Sequence, residues 1–249
     1  MLQHRFRKNQ FMKQIFFMFA IAISASGYAQ KQQVLNDKNA ETRTVGHFHA
    51  IEVSDGIDVY LENGDEAVAV SASQQKFRDK IKTTVENGVL KIIYKNDVSH
   101  IMFHEDRKLK AYISYRQLDM IVASTGCDIE SDGIIKSQSL SLHISAGSDF
   151  RGKVDVGELK ISQHSGSDID IEGTAATVVI ESRSGSDFTG YKLISDIARV
   201  DVSGGSDVEI TVNKELSAKA SGASDINYMG NPTVKESNTS GASNISRKS

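Results

Sequence analysis

The sequence predicts an all-β chain whose second half is a β-solenoid, and three observations carry that prediction. One turn motif recurs seven times, as Thr125-Gly-Cys-Asp-Ile129, Ala146-Gly-Ser-Asp-Phe150, Ser165-Gly-Ser-Asp-Ile169, Ser184-Gly-Ser-Asp-Phe188, Gly204-Gly-Ser-Asp-Val208, Gly222-Ala-Ser-Asp-Ile226 and Gly241-Ala-Ser-Asn-Ile245. Its acidic positions, Asp128, Asp149, Asp168, Asp187, Asp207, Asp225 and Asn244, are separated by 21, 19, 19, 20, 18 and 19 residues. Such a near-constant step marks one structural unit stacked on itself, here a rung of about nineteen residues. Around each motif apolar and polar residues alternate, as in Asp168-Ile-Asp-Ile171, Asp207-Val-Glu-Ile-Thr-Val212 and Leu140-Ser-Leu-His-Ile144, and a period of two means strand.

From the N-terminus, Arg5, Arg7, Lys8 and Lys13 precede the apolar run Ile15–Ile23, and small residues end at Gly27-Tyr-Ala29. This is the pattern of a signal peptide, since the run is too short to span a bilayer as a stable helix. Residues 1–29 are expected to be removed on export, with residues 30–44 as an N-terminal linker. No cysteine lies at that junction, so no lipid anchor is expected, and no later segment is apolar enough for a membrane helix. Without the four leading basic residues, 25 Lys/Arg face 32 Asp/Glu, a net charge of −7. That balance excludes a basic stripe for phosphate neutralisation, and with it nucleic acid as a partner. Cys127 is the one cysteine, so no intramolecular disulfide can form and stability must come from packing and backbone pairing.

Residues 45–246 are expected to form the solenoid, as a less regular β half (45–120) followed by the regular repeats (121–246). In the first part, strands are predicted over His47–Val53, Ile57–Glu62, Ala67–Ser71, Val89–Tyr94 and Leu109–Ser114. Hairpin-type turns are predicted at Glu62-Asn-Gly-Asp65 and Glu86-Asn-Gly88. Ser73–Lys82 reads as a short helix or an irregular excursion and Asn96–Arg107 as a loop. Ser54-Asp-Gly-Ile-Asp-Val59 resembles the later turns, which makes this half a degenerate continuation of the stack. In the second part each unit reads as strand, Ser/Gly turn, strand and looser return. One rung alone buries too few Val, Ile, Leu or Phe side chains to offset the roughly 1–2 kcal/mol per residue lost on ordering its backbone, so only the stack is stable. Stacked ends need protection against strand-to-strand association, and Pro232 with the polar tail Ser246-Arg-Lys-Ser249 is suited to blunting one of them.

Phe48-His-Ala-Ile-Glu-Val53, Gly56-Ile-Asp-Val-Tyr-Leu61, Asn87-Gly-Val-Leu-Lys-Ile92 and the turn series together resemble the putative auto-transporter adhesin head GIN domain family, over roughly residues 45–246. The resemblance implies an extracytoplasmic, all-β, right-handed parallel β-helix in envelope proteins, with an adhesive role. No catalytic residues are recognised for that family, so none carries over. The chain departs from the repeat at Cys127, which fills a serine slot, at Ala223 and Ala242, which fill a glycine slot, and at Asn244, which ends the acidic column. No residues follow Ser249 to build an outer-membrane barrel, so passage to the cell surface is expected to need another carrier.

Stacking would align Asp128, Asp149, Asp168, Asp187, Asp207 and Asp225, and three readings of that column compete. In the structural reading, Ser and Asp supply short side chains that bond turn amides while glycine permits positive φ. In the second, the carboxylates hold calcium. Like charges about 4.8 Å apart repel by about 1 kcal/mol in water but about 3.5 kcal/mol at an effective dielectric of 20, so only a buried column needs a cation. Each Asp precedes an inward apolar residue, so alternation turns it outward. In the third, paired carboxylates act on a polysaccharide as acid and base. That chemistry needs two environments that push the pKa values apart, and near-identical rungs offer one. His47 and His49, on one strand face, read as solvated rather than as a metal pair, and Cys127 as a serine substitute. No nucleophile elbow, P-loop or dinucleotide fingerprint occurs. The sequence therefore points to an exported, non-enzymatic binding or scaffolding module, in the periplasm or on the outer surface of a Gram-negative cell. A glycan or an envelope protein is its expected partner, and no catalytic, cofactor or metal residues are assigned.

Overall fold

A computed structural model describes residues 37–95 and 106–249. The expected signal peptide, the linker up to residue 36 and most of the Asn96–Arg107 loop lie outside the described residues. In chain order the elements are β1 (Glu41–Arg43), β2 (Ala50–Val53), β3 (Asp58–Asn63), β4 (Ala67–Ser71), α1 (Gln75–Arg78), β5 (Ile81–Glu86), β6 (Val89–Tyr94), β7 (Lys110–Tyr115) and β8 (Met120–Ala123). The long strands follow: β9 (Asp128–Ser145), β10 (Asp149–His164), β11 (Asp168–Arg183), β12 (Asp187–Ser203) and β13 (Asp207–Gly222), then β14 (Asp225–Met229), β15 (Thr233–Gly241) and β16 (Asn244–Arg247). Together they wind a β-solenoid of about 7 turns.

In the regular half every coil pairs in parallel with the next, and equivalent residues meet: Asp149 lies between Asp128 and Asp168, and Leu159 between Leu140 and Val178. Along each strand burial alternates, so Ile129, Phe150, Ile169, Phe188, Val208 and Ile226 stack in one buried column. The looser return expected of each unit is absent from the coils of β9 to β13 and survives only as the break between β14 and β15 among the described residues. One strand of 16 to 18 residues runs from turn to turn in each of these coils. It bends at register shifts such as Arg151/Lys153, Asp170/Gly173 and Gly190/Ile194. A bulge bends the chain while keeping most of its amides in the ladder, and a free return would leave them unpaired. Gly173 carries one such bend with φ +117, and a Cβ there would lie 1.9 Å from the Val154 carbonyl oxygen of the coil before.

The tight turns explain the repeat motif. Thr125, Ala146, Ser165 and Ser184 have φ between 54 and 64, and the glycine after each has φ between 67 and 70. Two successive left-handed residues reverse the chain inside one rung. Where Ala223 and Ala242 fill the glycine slot, positive φ is confined to Gly222 (79) and Gly241 (76) just before them. The substitution is thus accompanied by a change of turn conformation.

The first half continues the stack, but out of chain order. β2 pairs with both β6 and β8, and β3 with both β7 and β9, all in parallel. The coil built from β2 and β3 therefore sits inside the stack, with the later β6/β7 coil on one side and β8/β9 on the other. Its Ser54-Asp55-Gly56 turn stacks on the first repeat turn, with the Gly56 amide donating to the Thr125 carbonyl at 2.9 Å. The far edge of β6 is covered by antiparallel β5, joined to it through Asn87 (φ 52) and Gly88 (φ 77), the two-residue turn that favours a hairpin. The edge of β7 is covered by antiparallel β4, and β4 by β1. The hairpin expected at Glu62–Asp65 does not form. Gly64 lacks a positive φ, its amide continues the β3–β7 ladder by donating to the Tyr115 carbonyl at 2.8 Å, and β7 lies between β3 and β4. Of the Ser73–Lys82 stretch only α1 is helical, and its end already belongs to β5.

At the other end β15 pairs with β13 and β16 with β14, and no described strand covers them. The tail blunts this end differently from expectation, since Ser246 and Arg247 belong to β16 itself. Composition protects part of it: Ser237 and Thr239 stand where the coil beneath has buried Ala218 and Ala220, while Val234 over Leu216 and Ile245 over Ile226 carry apolar side chains to the end.

A candidate binding face at the capped end

The acidic column exists, and its side chains point outward, half-buried or exposed. Each of several carboxylates is tied to the following rung: Asp149 Oδ1 accepts the Asp168 amide at 3.2 Å, Asp187 Oδ1 that of Asp207 at 3.2 Å, and Asp207 Oδ1 that of Asp225 at 3.1 Å. The bonding of amides matches the structural reading, although the amides belong to the next turn rather than to the same one. Asp58 extends the column beneath Asp128, and Lys110 ends it. Burial, and then the Asp128 carboxylate, push the Asp58 carboxyl above its ordinary range. No group of three or more His, Cys, Asp or Glu among the described residues is arranged to hold a metal ion. A chelator is expected to leave the melting temperature of the calcium-supplemented protein unchanged, and a drop of several degrees would favour the calcium reading over the structural one.

A second column runs beside the acids but inside the rod. Ser148, Ser167, Ser186, Ser206 and Ser224 are all fully buried, and Cys127 fills the same slot. Their hydroxyls take up amides that the tight turns leave over: Ser148 Oγ accepts from the Cys127 amide at 3.0 Å, Ser186 Oγ from Ser167 at 3.2 Å and Ser206 Oγ from Ser186 at 3.0 Å. Ser224 Oγ accepts two, from Gly205 at 3.1 Å and Ser206 at 3.2 Å. The alternation that sends Asp outward sends the preceding Ser inward, so the two residues of each Ser-Asp pair take up amides on opposite sides of the strand. Cys127 is the serine substitute it was taken for, its sulfur 3.2 Å from the Ser124 carbonyl, and burial raises its thiol pKa. His47 and His49 precede β2 rather than sharing it. They engage different carboxylates, His47 Nδ1 with Glu66 at 2.7 Å and His49 Nδ1 with Asp119 at 3.0 Å.

Along the rod the outer face carries mixed charge. Arg151 stands between Glu130 and Asp170, and Glu172 bonds Lys153 at 3.3 Å and Lys192 at 2.7 Å. Such exposed pairs are worth about 0–1 kcal/mol each and mainly cancel one another's fields.

The capped end differs. Tyr60 of β3 and Tyr112 of β7 face each other across the ladder with ring centroids 5.4 Å apart and planes at 20°. They line a groove of about 650 Å³ together with Lys38, Lys108 and Lys110, and with hydroxyl and amide groups from Ser71, Ser73 and Asn39. Lys110 Nζ lies 5.7 Å from the centre of the Tyr60 ring. The Tyr112 hydroxyl donates to Asp37 Oδ2 at 2.9 Å, and the Asn39 amide donates to Asp37 Oδ1 at 3.0 Å. Burial raises the Asp37 pKa, and hydrogen bonds from Ser71, Tyr112 and Asn39 outweigh it, leaving the carboxyl below its usual range. Burial, reinforced by that same bond, holds the Tyr112 phenol well above the ordinary tyrosine value. Sequence reading missed this groove because Tyr60 and Tyr112 become neighbours only through the out-of-order stacking of β3 on β7.

A family model described as "putative auto-transporter adhesin, head GIN domain" matches residues 47–232. The chain belongs to that family. As a head GIN domain it also shares its fold with solved structures of low sequence identity. A "putative adhesin" from Bacteroides fragilis is 17% identical, with a TM-score of 0.77, covering 85% of this chain and 98% of that one. A "putative adhesin" from Parabacteroides distasonis is 17% identical with a TM-score of 0.66, covering 86% and 98% of the two chains. A "putative lipid binding protein" from the same organism is 16% identical with a TM-score of 0.64, covering 84% and 97%. No curated protein matches the chain. Family membership places this head GIN domain among adhesin-like proteins of the envelope or cell exterior. No helix among the described residues is long and apolar enough to cross a membrane.

Proposed function

We propose that this head GIN protein is an exported, adhesin-like binding module that works without catalysis, recognising a glycan or an envelope protein at its capped end. The observation that carries the reading is the groove at Tyr60 and Tyr112. There the half-exposed Tyr60 ring, backed by buried Tyr112, and three lysines line one groove, while the strand faces further along the rod carry charges that compensate one another. Export is supported by the basic and apolar pattern of residues 1–29. The rod serves as a rigid spacer, seven turns at about 4.8 Å per turn.

Absence of catalysis is supported by the near-equivalence of the rungs, because acid and base roles need carboxyls in contrasting surroundings. Within the column Asp58 is raised by burial and by the neighbouring Asp128 carboxylate, and the cleft that these two share with Tyr60, about 170 Å³, is small for a polysaccharide. The test is a glycan array and an envelope pull-down with the mature protein, followed by incubation of any bound polysaccharide. Retention with the ligand recovered intact is the expected result. Cleavage products that vanish in Asp58→Asn would replace the binding reading with an enzymatic one.

A further inference from the structure

We propose that the groove at the capped end binds a carboxylate-bearing sugar, such as a uronic acid residue within a polysaccharide. The inference rests on the binding-module reading and adds the chemical class of the ligand. A carboxylate requires compensating cations. Lys38, Lys108 and Lys110 supply three around one concavity, in a sequence where acidic residues outnumber basic ones. Lys108 reaches one carboxylate, Asp106, at 3.4 Å with both groups largely exposed, an attraction that a second carboxylate can share or displace.

A sugar also presents hydroxyls and a face of C–H bonds. Asn39 is exposed and offers its side-chain amide to the hydroxyls, half-buried Ser73 keeps acceptor lone pairs beside its bond to the Asp106 carbonyl, and the half-exposed Tyr60 ring, backed by buried Tyr112, offers an aromatic surface for the sugar ring. Asp37 discriminates among anions. Its carboxylate is held in the groove by the Tyr112 hydroxyl and the Asn39 amide, where it accepts hydrogen bonds from sugar hydroxyls. A phosphate dianion would meet its repulsion without a guanidinium fork or a cluster of free amides to offset it. The ligand chemistry that satisfies all these groups together is one negative charge, several hydroxyls and one apolar face.

The experiment is calorimetric titration of the mature protein with oligogalacturonate, with a sialylated oligosaccharide and with a neutral malto-oligosaccharide of equal length. Each is repeated on Lys110→Gln, Lys108→Gln and, as a control at the other end of the rod, Lys219→Gln. Melting curves verify that every variant is folded. The expected result is binding of an acidic sugar that weakens roughly tenfold or more in Lys110→Gln, the loss of one charge-assisted contact, and is unchanged in Lys219→Gln. The hexuronate and sialyl arms distinguish the two sources of carboxylate. Equal weakening in Lys219→Gln would overturn the inference in favour of diffuse charge attraction. Neutral sugar bound as tightly as acidic, or a protein ligand with no sugar bound, would overturn it while leaving the binding-module reading intact. Failure of every glycan and every envelope protein would overturn both.

Discussion

Gly173→Ala should destabilise the protein by roughly 3–5 kcal/mol, a large fraction of the about 5–15 kcal/mol that holds a typical domain together. Two effects combine. The residue sits at φ +117, where an L side chain is strained, and its new Cβ would lie 1.9 Å from the Val154 carbonyl oxygen and 3.0 Å from the carbonyl carbon. Those are backbone atoms of the adjoining coil, so relief requires two rungs to separate and their ladder to weaken. Gly133→Ala is the control, since nothing lies within 4 Å of its added Cβ and its φ is not positive. Urea unfolding of both variants makes the comparison. A loss below about 1 kcal/mol in Gly173→Ala would mean the bend relaxes freely, and the close approach of the coils would not be what fixes this glycine.

Ser224→Ala should follow at roughly 2–3 kcal/mol, far beyond any change at the neighbouring acids. The Ser224 hydroxyl accepts both the Gly205 and Ser206 amides, and Ser224 and Ser206 are completely buried. Its removal leaves the Ser206 amide unpaired inside the rod where water cannot reach it, while the exposed Gly205 amide can turn to solvent. Asp207→Asn keeps an acceptor on an exposed side chain, and the amide it serves lies at the surface, so its cost should stay within about 0.5 kcal/mol. The reverse order would show that the outward column, rather than the inward one, stabilises the turns.

These comparisons also mark what could be read from the sequence. The rungs were readable because Asp128 through Asp225 recur at one step, and parallel pairing then brings equivalent residues together. Burial along the strands was readable from alternation, which is a property of the pleat and needs no partner. Order in space was not. The choice of β8 rather than β6 to follow β2 on one side depends on pairings such as Ala50 with Met120, seventy positions apart. No local pattern in either strand distinguishes the candidates, because all three present the same alternating face. For the same reason the Glu62–Asp65 turn was misread: its residues suit a hairpin, and what prevents one is β7, a strand that lies much later in the chain. Tyr60 and Tyr112 likewise carried no sign of each other. The remaining discrepancy, a looser return replaced by bulged strand, follows from the ladder itself, which keeps backbone groups paired that sequence alternation alone would release.

The interleaved order of the first three coils sets a schedule for assembly. A rod whose coils follow chain order can wind up one turn at a time from its beginning, but here the earliest coil gains both neighbours only when strands from two later stretches arrive. Until then it offers two bare sides. The coils up to Ser145 are therefore expected to consolidate together, with the later coils added on that template. Fraying is expected to begin at the uncovered coil at the far end, where no described strand pairs with β15 and β16 on their outer side.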